Sequence, residues 1–128
     1  MSYCKLYIDS TYDKNMVNSF LYDSLDKLEC SYAGYVDTVD IVVFDNDNCN
    51  SSVKVGRKAN PTETIYYVDI YDENEDDDLL EFKEIVIELI KLLREKFEYV
   101  VASCEFEEFV IQETGWNWTE TNPYPSLN

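Results

Sequence analysis

The sequence predicts an α+β fold in which an antiparallel sheet carries two helices on one face. Four segments have strand character: residues 2–9, 36–45, 64–72 and 99–112. Two segments between them repeat apolar residues at helical spacing, giving the order strand, helix, strand, strand, helix, strand. The chain has 128 residues, 45% of them apolar, which suffices for one hydrophobic core in one domain, residues 1–128, without disulfide or metal staples.

Each element has a local cause. In residues 2–9, Cys4, Leu6 and Ile8 alternate with Tyr3, Lys5, Tyr7 and Asp9, the pattern of a half-buried strand. Ser10 to Asp13 offers N-cap candidates, and from about 13 to 29 the residues Met16, Val17, Phe20, Leu21, Leu25 and Leu28 recur every three or four positions. Residues 36–45 are rich in β-branched side chains and form the second strand. A polar stretch from Asn46 to Thr62 follows, long for a bare loop, and Val53 to Val55 inside it suggests a short extra strand or hairpin.

The third strand, 64–72, places Tyr66, Val68 and Ile70 on one face and Ile65, Tyr67, Asp69 and Tyr71 on the other. The acid run Glu73 to Asp78 suits the positive end of a helix dipole and opens the second helix, about 77–97. Leu79, Phe82, Val86, Leu89, Ile90, Leu93 and Phe97 line one side of it, with Lys91, Arg94 and Lys96 near its C-terminal end. Residues 99–112 read as a last strand or a bent strand pair. Residues 113–128 form an aromatic, proline-bearing tail, expected to pack back on the domain, with a recognition arm as the alternative. This order is the ferredoxin-like βαββαβ pattern, built from split βαβ units.

Charge narrows the function classes. The formal net charge is −17, from 27 acidic and 10 basic residues, with no histidine. Nucleic-acid binding depends on Lys and Arg displacing counterions, and anionic membranes attract the same residues, so neither is an expected partner. A basic protein is, approached through long-range electrostatic steering. Surface acidity that serves solubility alone is the plainer explanation of the same charge.

Cys4, Cys30, Cys49 and Cys104 are widely spaced, with neither a zinc pattern nor a Cys-x-x-Cys pair. The N-terminal residues lack the pattern of a signal peptide and no apolar run approaches the roughly 20 residues of a membrane span, so the expectation is a cytoplasmic chain with free thiols. Histidine-dependent base, metal and nucleophile chemistry is excluded. No glycine-rich phosphate loop occurs, since the glycines are Gly34, Gly56 and Gly115. Asp45 to Asn48 begins like a calcium loop, but Cys49 and Asn50 stand where a ligand and the glycine are needed, and in Asp72 to Asp78 Asp77 stands at the glycine position and Lys83 at the closing glutamate. No cofactor or metal is expected, and binding rather than catalysis.

In the predicted topology the first and third strands are central neighbours. Tyr3, Lys5, Tyr7 and Asp9 then lie beside Ile65, Tyr67, Asp69 and Tyr71 on the face away from the helices. Tyrosine is enriched at interfaces because it brings area with little rotamer entropy, and carboxylates accept paired bonds from arginine. The expected partner-binding residues are Tyr7, Tyr67 and Tyr71 as anchors and Asp9, Asp69, Asp72 and Glu73 as acceptors. Cross-strand tyrosines also simply stabilise sheets, and the tail could cover this face.

The acidic α+β domain ending in Gly115-Trp-Asn-Trp-Thr-Glu-Thr-Asn-Pro-Tyr-Pro resembles the small immunity proteins of bacterial polymorphic and contact-dependent toxin systems. The likeness lies in size, charge and element order, and only that terminal stretch approaches a motif. It carries over no residue roles. It implies a cytosolic inhibitor that neutralises a cognate toxin, often a basic nuclease. The rival readings are a DNA-mimic inhibitor of a restriction or CRISPR effector, a structural or oligomerising domain, and a small-molecule enzyme or sensor.

Overall fold

Period-two alternation in three long strands decides which residues meet, and the sheet follows from it. The computed structural model describes residues 2–32, 36–72 and 79–125. Its strands are β1 (Ser2–Asp9), β2 (Val39–Asp45), β3 (Tyr66–Asp72) and β4 (Tyr99–Ser103), and its helices are α1 (Lys14–Leu28), α2 (Leu79–Lys96) and α3 (Glu107–Thr114). The sheet order is β2-β3-β1-β4, with every neighbouring pair antiparallel. β1 and β2 therefore run parallel with β3 between them, and β3 and β4 run parallel with β1 between them. These are two interleaved βαβ units, with α1 and α2 as their crossovers, the predicted ferredoxin-like arrangement.

Side chains at every second position build the main core. Cys4, Leu6 and Ile8 of β1, Ile41 and Val43 of β2, and Val68 and Ile70 of β3 meet Val17, Leu21 and Leu25 of α1 and Phe82, Val86, Leu89 and Leu93 of α2. Asp13 caps α1 by accepting from the Met16 N–H at 2.8 Å. Met16, expected on the apolar side, is exposed in the first turn of α1.

Three predicted elements differ. Val36–Thr38 makes a 3-10 turn, so β2 begins at Val39. Val53 to Val55 forms no strand; the Val53 carbonyl instead accepts from the Lys58 ammonium at 2.7 Å, which curls the segment into turns. The predicted strand pair 99–112 is a five-residue strand followed by α3. Glu107 and Glu108 favour the positive end of that helix, and Phe106 and Val110, four apart, both turn into the core. Gly115 ends α3 at φ +89°, the left-handed conformation that suits glycine, with its N–H bonded to the Ile111 carbonyl at 2.8 Å. Phe106 packs edge-on against Phe82, so a third helix joins α1 and α2 on the same side of the sheet.

No helix among the described residues is long and apolar enough to cross a membrane. The acid run from Glu73 to Asp78 lies outside the described residues.

Candidate functional site

The face of the sheet turned away from the helices is divided in two. On its β4 side, Tyr99 and Val101 carry a small second apolar cluster with Trp116, to which Trp118 and Tyr124 add. The tail is fixed there by polar contacts. Asn117 accepts from the Ala102 N–H at 2.9 Å and donates to the Ala102 carbonyl at 3.0 Å, acting as a surrogate strand on the edge of β4. Arg94 donates to the carbonyls of Val100 and Trp116, both at 2.9 Å, and lies over the Trp116 ring. Burial draws its guanidinium down to about 10 from the usual arginine value.

Away from β4 no described residue outside the sheet closes over this face. Strand register sorts it into rows: Asp40, Tyr71 and Tyr3; then Val42, Asp69 and Lys5; then Phe44, Tyr67 and Tyr7. Phe44 stacks on Tyr67 with ring centres 4.9 Å apart and planes 18° apart. The Lys5 ammonium stands 4.6 Å from the centre of the Tyr67 ring and 5.9 Å from that of Tyr7. The Tyr3 hydroxyl donates to Asp69 Oδ1 at 2.5 Å. Burial and this bond push the Tyr3 phenol well above the ordinary tyrosine range, and burial and the Asp69 charge also raise Tyr7.

Two hollows flank Tyr7 and Thr62. One, about 250 Å³, is bounded by Lys5, Tyr67, Asn46, Asp47 and Asn48; the other, about 170 Å³, by Trp118, Val101, Pro61 and Glu107. The open patch is thus a shallow aromatic surface with one cation and one carboxylate at its middle, suited to a macromolecular surface rather than a small molecule.

Of the sequence-predicted binding residues, Tyr7, Tyr67, Asp69 and Tyr71 share this patch, each half-buried. Asp9 does not. It is fully buried, with Oδ2 accepting from the Gly56 N–H at 2.7 Å and lying 3.5 Å from the Lys58 ammonium, while Oδ1 accepts from the Ile65 N–H at 2.9 Å. The alternation that turns Asp9 outward is obeyed, but the loop between β2 and β3 folds over it, and the carboxylate organises that loop. Asp72 is buried as well, because it continues the inward series Tyr66, Val68, Ile70; parity alone assigns it to the helix side. Glu73 lies outside the described residues.

Sequence reasoning passed over Val42 and Phe44. Their alternation with Ile41 and Val43 is a usable signal, hidden because all four are apolar. Among the described residues, no group of three or more Cys, Asp and Glu side chains is arranged to hold a metal ion. No family model, curated protein or solved structure matches this chain.

Proposed function

We propose that this chain is a cytoplasmic binding protein that neutralises a basic protein partner, acting as an immunity protein against a cognate bacterial toxin, and that it is not an enzyme. One observation carries the reading: an uncovered row of aromatics, Phe44, Tyr67 and Tyr7, bordered by Asp69 and Tyr71, on a chain of net charge −17. Aromatic side chains desolvate well and cluster at interaction hot spots. The surrounding negative charge raises the encounter rate with a cationic surface and disfavours acidic competitors. A toxin that grips phosphates presents such a cationic surface, which makes a nuclease the best-matched target.

Asp69 is the carboxylate for a partner arginine, and Tyr7, Tyr67 and Tyr71 are the packed anchors. Asp9 and Asp72 are buried, Asp9 as the acceptor that organises the loop between β2 and β3, which leaves the surface more aromatic than polyanionic. That balance favours an ordinary protein interface over mimicry of a phosphate ladder.

The test is co-expression with a toxin domain encoded beside this gene. The toxin domain alone should arrest host growth, and this chain should restore it. Combined Tyr67→Ala and Asp69→Asn substitution should abolish the protection while the purified variant, with a lowered unfolding midpoint, remains folded at the growth temperature. Undiminished protection by that variant sinks the assigned face. A lack of protection by the unaltered chain sinks the immunity reading.

A further inference from the structure

The ladder between β1 and β4 runs from Asp9 opposite Tyr99 to Lys5 opposite Ser103. One step further along the same register sets Cys4 opposite Cys104. Both point to the helix side: Cys4 continues the series Ile8, Leu6, and Cys104 follows Val100 and Ala102, packing against the same core. Directly opposed residues of antiparallel strands have Cα atoms about 4.5–5.5 Å apart, within the range of about 4.4–6.8 Å that a disulfide bridges. The remaining thiols are placed elsewhere, Cys30 just past α1 and Cys49 in the loop after β2.

We propose that Cys4 and Cys104 are a reversible dithiol–disulfide pair, a modification site oxidised by a low-molecular-weight disulfide of the glutathione class. The division of labour follows from exposure. Cys104 is partly exposed and Cys4 is fully buried behind it. The Cys4 Sγ–H donates to the Lys5 carbonyl at 3.7 Å. The neighbouring thiol, with burial adding to the effect, raises Cys4, and it lowers Cys104 against that residue's own burial and the charges of Glu107 and Glu105. Cys104 is therefore the attacking sulfur. Its thiolate displaces one thiolate from the small disulfide, forming a mixed disulfide. The Cys4 sulfur, giving its proton to the departing thiolate, then attacks the Cys104 sulfur and releases the second thiol. The protein loses two electrons and two protons, and one small disulfide becomes two thiols.

The bond would join the start of β1 to the turn that leads into α3, without altering any side chain of the open aromatic patch. The test uses the full chain carrying Cys30→Ser and Cys49→Ser, equilibrated in mixtures of reduced and oxidised glutathione, then quenched with acid and alkylated. The expected product has lost two hydrogens, carries no alkyl group and no glutathione, and digests to one linked pair of peptides containing Cys4 and Cys104. Dithiothreitol should reverse it. Adding Cys4→Ala should leave one glutathione held on Cys104. If both thiols remain alkylatable in the oxidised buffer, or glutathione stays on Cys104 while Cys4 is free, the proposal is wrong.

Discussion

The Lys58 ammonium lies 3.5 Å from the Asp9 carboxylate, with 1% and 0% of the two side chains exposed. Together with the Gly56 and Ile65 amides and the Val53 carbonyl, the pair ties the end of β1 to a loop that has little other regular structure. Removing one charge strands the other in a site closed to solvent. Asp9→Asn should therefore cost about 3–5 kcal/mol, read from urea unfolding. Asp9→Asn with Lys58→Met should recover a large part of that loss. A single-variant cost below about 1 kcal/mol would mean that the loop does not depend on the pair.

The core prediction concerns α2. Leu89 is fully buried in the main core, and Leu89→Ala should cost about 2–5 kcal/mol in the same assay. Leu80 on the same helix is 55% exposed, and Leu80→Ala should stay within about 0.5 kcal/mol. Equal effects at the two sites would contradict the helix phase.

Asn117 serves both backbone groups of Ala102. Asn117→Ala leaves a buried N–H and a buried carbonyl unmet, at about 1–3 kcal/mol for each. The tail should also loosen locally: amide hydrogen exchange at Ala102 should accelerate more than exchange at Val68 in the middle of the sheet. Uniform acceleration would instead indicate global destabilisation.

For the interface, Asp69→Lys should slow association with the basic partner and flatten its dependence on salt, measured at a temperature where the variant is folded, because the lost Tyr3 bond and a lysine opposite Lys5 also lower stability. Charge reversal at Glu29, just past α1 and away from the open face, is the control and should change the rate by a smaller factor. Identical rates for the Asp69 variant and the parent chain would remove that carboxylate from the contact.

Tyr3 gives a pH prediction. Its folded phenol titrates above the unfolded value of about 10, because burial and the bond to Asp69 favour the neutral form. A raised value means the folded chain holds the proton longer, so this contribution to stability is complete below about pH 10 and declines as the pH climbs beyond it. Tyr3→Phe should flatten the alkaline fall in unfolding midpoint. Equal alkaline falls in unfolding midpoint for the parent chain and Tyr3→Phe would rule out the effect.

How much of this was legible beforehand depends on the kind of signal. The strands and α2 were readable because period-two and period-3.6 patterns survive any tertiary context, and the central pairing of the first and third strands came from element order. α3 was not, since Phe106, Phe109 and Val110 beside the β-branched Val100 and Val101 resemble a continued strand until Gly115 is seen as a helix stop. The outward side of the central strands could be assigned by counting, which brought Tyr7, Tyr67, Asp69 and Tyr71 together correctly. The fate of Asp9 could not: its burial depends on where a distant lysine folds back, and a spacing of 49 positions leaves no local trace. The tail was expected to pack on the domain, but how far it would reach across the sheet rests on Arg94 and Asn117, polar residues whose tertiary partners no periodicity announces.

Trp116 and its neighbours rest on Tyr99 and Val101 of β4, and Val101 stands opposite Tyr7 in the β1–β4 ladder. The closing segment therefore sets how much apolar sheet surface the chain exposes. A chain cut short at Gly115 would leave Tyr99 and Val101 bare and join them to the aromatic patch, giving a wider and stickier surface than the full chain presents.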